Sequence, residues 1–135
     1  MIMANNCEYS IKIKGTRENC YKFLNKMTDY DEPNHFYRMF SAIDSAEEGT
    51  DDNFEMRIYG DCAWSLESCC RASGYSNGVD LFAVNTKDLD LELEAWSRET
   101  GFDFDEHYIY KKGECLESEC LKAYAFGDKF EEWHI

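Results

Sequence analysis

The sequence predicts an α+β fold, an antiparallel sheet carrying two helices on one face and ending in a β-hairpin and meander. Three observations lead there. Runs of strict apolar alternation recur along the chain, two segments between them carry apolar residues at helical spacing, and the last third holds alternating runs separated only by short turns. With 135 residues, 44% of them hydrophobic and 16% aromatic, the chain has the length and content of a single domain, 1–135, with a substantial core.

The elements follow in order. From Cys7 to Lys14 the pattern alternates, with Cys7, Tyr9, Ile11 and Ile13 on one side, as a half-buried strand requires. Gly15 ends it, Thr16 offers a helix cap, and Tyr21, Phe23, Leu24 and Met27 place an apolar stripe on a helix over 17–28. Residues 29–34 turn at Pro33, Phe36–Ile43 is expected to be a second strand, and 45–52 is a polar, acidic loop. Phe54–Gly60 alternates again, and Asp61 is the expected cap for a helix over 63–72 that carries Trp64, Leu66, Cys69 and Cys70. A loop over 74–78 precedes Val79–Val84, an apolar patch read as one helical turn. Leu89–Trp96 alternates strictly, 99–101 turns, Asp105–Lys112 returns, Lys112-Gly113 turns again, and Cys115–Tyr124 pairs back as the last strand. The tail 127–135 is expected to dock through Phe130, Trp133 and Ile135. Tyr9, Ile11, Ile13, Leu24, Met56, Ile58, Leu91 and Leu93 are the expected shared core.

Composition then bounds function. Against 14 Lys and Arg stand 28 Asp and Glu, for a formal charge of −14. Residues 1–40 are nearly balanced, with 5 acids and 6 bases, whereas 41–135 hold 23 acids and 8 bases. Such a surface repels phosphate backbones, which argues against direct nucleic-acid binding and for a basic partner. No apolar run reaches the roughly 18 residues of a membrane span, and the first residues lack a basic leader and an apolar signal core. A cytoplasmic location is expected. Seven cysteines, an odd number without an export signal, point to free thiols. Cys69 and Cys70 are adjacent, Cys115 and Cys120 stand apart, and His35, His107 and His134 complete no ligand spacing, so neither a metal nor a cofactor is expected.

The distinctive feature is an acidic hairpin. Asp90, Glu92 and Glu94 share the side opposite Leu89, Leu91 and Leu93, and Glu99, Asp103 and Asp105 follow after the bend. On one strand face successive carboxylates lie about 6.6–7 Å apart, close to the roughly 7 Å between successive phosphates. Trp96, on the carboxylate side and beside Arg98, adds an aromatic anchor of the kind enriched in interfaces. Enzymatic readings have less to stand on. His107 lies between Glu106 and Tyr108, but a centre built from Glu106, His107 and Cys62 has no motif behind it. Ser65 lacks a nucleophile-elbow setting, and neither a dinucleotide fingerprint nor a P-loop occurs. No catalytic residue is assigned.

Three stretches carry a resemblance: Ala4–Gly15 with its Ala-Asn-Asn-Cys-Glu opening, Ile58–Ser65 with its Trp-containing turn, and Glu99–Glu114, whose Phe-rich acidic hairpin runs into Tyr108-Ile-Tyr-Lys-Lys-Gly113. Together they resemble the small YubB-like ferredoxin-like domains of bacteriophages, plasmids and gut bacteria. The resemblance implies a ferredoxin-like sheet and a mobile-element setting, and it supplies no catalytic motif. Loops 44–52 and 74–78 and the acidity of 88–106 depart from the family pattern. Charge, size and resemblance together lead to the expectation of a non-enzymatic acidic protein that binds and inhibits a nucleic-acid-handling host or defence protein, in the manner of an anti-CRISPR and as a nucleic-acid mimic. The alternative is a self-assembling scaffold module, monomer or homodimer, using an exposed strand edge or aromatic patch.

Overall fold

The computed structural model describes residues 6–40, 44–72 and 76–126. Six strands and three helices run in the order β1 (Asn6–Gly15), α1 (Arg17–Thr28), β2 (Asp44–Gly49), β3 (Phe54–Ala63), α2 (Leu66–Cys70), α3 (Leu81–Asp88), β4 (Glu92–Glu99), β5 (Phe104–Lys111) and β6 (Glu114–Lys122). The strands form one sheet in the order β2-β3-β1-β4-β5-β6, every neighbouring pair antiparallel. This is an α+β fold built on an open antiparallel sheet.

The opening strand and helix follow the sequence pattern closely. Alternation sends Cys7, Tyr9, Ile11 and Ile13 into the core, and Thr16 caps α1 by accepting from the Asn19 amide at 3.2 Å. The stripe buried by α1 is Cys20, Phe23 and Met27, while Leu24 is only partly buried and Tyr21 is exposed. Against these pack Met56 and Ile58 of β3, Leu93 and Ala95 of β4, Tyr108 and Tyr110 of β5, and Leu66, Cys69, Cys70, Leu81 and Phe82 of the later helices. All three helices therefore share one side of the sheet.

Several expectations are corrected. Residues 36–40 form no strand, and 41–43 lie outside the described residues. Phe36 and Met39 are instead buried from an irregular segment in which Arg38 and Phe40 take positive φ, and Phe36 packs edge-on against Phe23 and Phe82. The second strand falls at 44–49, inside the expected loop. Its six residues are all exposed, so it carries no apolar alternation and is held by its ladder to β3 and by the Tyr21 hydroxyl of α1, which donates to Glu47.

The helix expected over 63–72 shrinks to five residues, because β3 runs on through Ala63 and Trp64 turns the chain with φ +67°. Ser65, not Asp61, is its cap, accepting from the Ser68 amide at 3.0 Å. Finally, the apolar patch at 79–84 opens a full helix, α3, capped by Asp80, so the described residues hold three helices rather than two. That helix delays the next strand: Leu89 is its C-cap, Asp90 turns with φ +54°, and β4 begins at Glu92. The Lys112-Gly113 turn forms as expected, both residues at positive φ as a two-residue hairpin requires. The expected terminal turn at 127–135 lies outside the described residues. Among the described residues no helix is long and apolar enough to cross a membrane.

Candidate functional site

The side of the sheet away from the helices carries Glu92, Glu94, Trp96, Asp105 and His107 among the residues singled out in the sequence. Strand register sets them in rows. Lys14, Glu92, Lys111 and Glu114 stand side by side from β1 to β6, then Lys12, Glu94, Ile109 and Glu117, then Ser10, Trp96, His107 and Glu119. A last row brings together Glu8, Arg98, Asp105 and Leu121.

Glu92 and Glu94 share the outer side of β4 as the sequence places them, while Asp90 lies in the turn before the strand and the other expected carboxylates are spread over the end of β4, the β4–β5 turn and β5. Each of these carboxylates meets a base or a backbone donor. Glu92 lies 3.4 Å from Lys111, Asp90 3.3 Å from Lys112 and Asp103 3.7 Å from Lys122. Asp105 is fully buried and takes a two-pronged bond from Arg98, at 2.9 and 3.0 Å, while the Tyr124 amide donates to it at 3.0 Å. Glu99, also buried, accepts from the amides of Gly101 and Phe102 and so shapes the β4–β5 turn. Asp90, Glu92 and Asp103 remain well exposed, and they sit at the two ends of the β5–β6 hairpin.

Trp96 is likewise not a surface anchor: it is 3% exposed. Its ring stacks on His107 at 3.6 Å with planes 15° apart, and Phe126 closes on it edge-first at 5.2 Å. After β6 the chain turns back over this side, with Tyr124 against the Arg98 guanidinium at 3.8 Å. Trp96, His107, Arg98 and Asp105 of the last two rows are thus covered by Tyr124 and Phe126, while Glu8 and Glu119 stay exposed.

His107 sits at the centre of the most elaborate polar arrangement here. Its Nε2 lies 2.7 Å from Glu94, its Nδ1 lies 3.6 Å from Glu117, and Glu119 is its direct cross-strand partner. Beside this group a groove of about 310 Å³ is lined by Lys12, Lys14 and Lys111 together with Glu92, Glu94 and Ile109. Burial lowers the pKa of Lys12, an effect that Glu55 and Glu94 oppose.

Glu106 and His107 point to opposite sides of β5, so they do not form an acid–base pair. Glu106 faces the helices, where it accepts from the Leu66 and Glu67 amides at 2.8 and 3.0 Å, from Ser97 at 2.7 Å and from Tyr108 at 2.5 Å. That carboxylate anchors the start of α2 to the sheet. Cys62, on the helix side of β3, has its thiol pKa pushed well up by hydrogen bonding with Cys69 and Cys7 and by burial, the reverse of an activated nucleophile. All seven cysteines are free; Cys115 and Cys120 are exposed on β6 and the others are buried.

Beyond Glu106 a cleft of about 380 Å³ opens between Trp64, Phe102, Arg71, Tyr108 and Cys120. Arg71 there donates to Tyr110 at 2.6 Å, pairs with Glu67 at 3.1 Å and lies over the Tyr108 ring, while Tyr110 donates to Asp80 at 2.6 Å. Burial raises the pKa of Glu67, which Arg71 opposes. Sequence reasoning passed over this network, since Arg71, Asp80 and Tyr110 come from three elements. It also passed over Glu117 and Glu119. The turn at Lys112-Gly113 would by itself set Ser118 opposite His107; a register shift between Ile109 and Tyr110 brings Glu119 there and Glu117 beside it, and the turn pattern carries no signal for that shift.

No protein-family model matches the chain, and no curated protein matches it. Among solved structures it is similar to the Api92 protein of Yersinia pseudotuberculosis, of family DUF1281, at 12% identity with a TM-score of 0.40. The match covers 62% of this chain and 26% of that one, so the chain spans about a quarter of the length of the protein it resembles.

Proposed function

We propose that this is a non-enzymatic acidic protein of a mobile element that acts in the cytoplasm by binding a basic, nucleic-acid-handling host or defence protein and blocking its nucleic-acid groove. The observation that carries the reading is β6. It is an edge strand among the described residues, all nine of its residues are exposed, and it presents Glu114, Glu117 and Glu119 together with Leu116 and Leu121. An edge of that length is a template for an added strand. Its three glutamates set like charge against a second copy and favour a basic partner. Asp90, Glu92 and Asp103, exposed at the ends of the same hairpin, extend the negative surface.

A ferredoxin-like core is part of the proposal. The order β2-β3-β1-β4 with two helical crossovers on one side supports it, with β5 and β6 as an added hairpin. Free cysteines are consistent with a reducing compartment.

The test is capture from host lysate at low and high salt, with the native chain and with Asp90, Glu92 and Glu114 all changed to Lys. The native chain is expected to retain one nucleic-acid-handling protein at low salt and release it at high salt or to competing nucleic acid, and the triple variant is expected not to retain it. Retention by the folded triple variant, or a complex indifferent to salt, overturns the mimicry. A stable homodimer in light scattering, with nothing captured, favours the scaffold alternative.

A further inference from the structure

We propose that His107, Glu117 and Glu119 form a binding site for one divalent first-row transition cation, with Glu94 positioning the imidazole. The inference does not depend on the partner-binding reading, because it rests on donor atoms rather than on net charge, but it draws on Glu117 and Glu119 of the same edge strand.

Register makes the site. His107 on β5 faces Glu119 directly across the β5–β6 ladder, and Glu117, paired with Ile109, is its diagonal neighbour on the same side of the sheet. A nitrogen of His107 and one carboxylate oxygen from each glutamate lie within 4.8 Å of one another. Nδ1 of His107 is 3.6 Å from Glu117, beyond hydrogen-bond reach. Two ligand atoms each about 2.1 Å from a tetrahedral ion stand about 3.4 Å apart, so the spacing suits a shared cation.

The second observation concerns the imidazole itself. His107 is 6% exposed, and Trp96 fixes its ring plane by stacking at 3.6 Å. Its Nε2–H donates to Glu94 at 2.7 Å, which leaves the Nδ1 lone pair aimed at the glutamates of β6. A carboxylate bonded to the far nitrogen of a histidine is the outer partner that metal-binding histidines recurrently carry. A cation placed among Nδ1 and the two carboxylates would meet all three ligand atoms at once, which no hydrogen bond at these distances does.

One imidazole and two carboxylates suit zinc-class ions. With Glu117 about half exposed, the site is open toward solvent and leaves a coordination position for water. A bound ion would clip the edge strand to β5 and neutralise two of its three glutamates.

Because exposed thiols also take up zinc, Co²⁺ is the discriminating probe. The full chain, stripped with chelator, is titrated with CoCl₂ and followed by visible absorption and by thermal melting. One equivalent is expected to give weak ligand-field bands without sulfur charge transfer, and to raise the melting temperature. Changing both Glu117 and Glu119 to Gln is expected to weaken binding at least tenfold without altering the melting temperature of the metal-free chain by more than a few degrees. Glu94→Gln is expected to weaken affinity about 10–100-fold at unchanged stoichiometry. Absence of saturable binding, sulfur charge-transfer bands that vanish with Cys115→Ser and Cys120→Ser, or equal affinity in the Glu117/Glu119 variant overturns the site.

Discussion

Trp96 and His107, cross-strand partners on β4 and β5, stack at 3.6 Å with their ring planes 15° apart. The stack is covered by Phe126, so an indole that an alternating sequence places on the outer side is as buried as a core residue. Trp96→Ala is therefore expected to cost about 3–5 kcal/mol of stability, the range for emptying a buried aromatic site. Urea unfolding followed by far-UV circular dichroism measures it. A loss below about 1 kcal/mol would return Trp96 to the role of a surface anchor.

Arg98 and Asp105 are 5% and 0% exposed and bonded through two prongs under the Tyr124 ring. Removing one partner leaves a buried charge alone, so Asp105→Ala is expected to cost about 3–5 kcal/mol. The double variant Arg98→Met with Asp105→Leu removes both charges and is expected to be substantially more stable than Asp105→Ala. Equal losses in the two variants would show that packing rather than charge governs the pair.

Tyr9 and Gly60 face each other across β1 and β3, and a Cβ at Gly60 would stand 2.6 Å from the Tyr9 hydroxyl oxygen. That hydroxyl is buried without a hydrogen-bond partner among the described residues, and burial holds its pKa far up. Tyr9→Phe is expected to be neutral or to stabilise by up to about 1 kcal/mol, since it deletes an unsatisfied group. Gly60→Ala is expected to destabilise by about 1–3 kcal/mol through overpacking, and less in the Tyr9→Phe background. Melting temperatures of the three variants decide this.

Alkaline pH should weaken the fold. Burial pushes Cys20 up to about 11 and raises Cys70, Tyr9, Tyr108 and Tyr110 above their ordinary values, while hydrogen bonding with Cys69 leads the rise at Cys62. In the unfolded chain a thiol ionises near 9.0 and a phenol near 10.0. Above those values the unfolded state binds fewer protons than the folded one, so the stability these groups contribute is intact below about pH 8 and declines as pH rises. Each retained proton adds a slope of about 1.4 kcal/mol per pH unit. Urea midpoints are expected to be level from about pH 7 to 8 and to fall steadily toward 10, with a shallower fall in Cys20→Ala. A midpoint unchanged at pH 10 would contradict the burial of these groups.

What the sequence determined is the pattern that depends on a single element and its own water-facing side. The alternation of β1 and β3, the Thr16 cap of α1 and the Lys112-Gly113 turn follow from local sterics and from which side is apolar, and they stand as read. The acidic composition of the last two thirds was also legible, but which carboxylates meet solvent was not. Glu99 and Asp105 look like Glu92 in a one-dimensional pattern, and only the turn amides and Arg98 decide that they are buried. β2 escaped because an edge strand exposed on both sides has no apolar period to read. Phe36 and Met39 misled for the opposite reason, since an irregular segment can bury an aromatic as well as a strand can. The tertiary structure alone decided that Trp96 is covered and that Glu94, His107, Glu117 and Glu119 meet, because cross-strand register, not sequence neighbourhood, sets which side chains share a few ångströms.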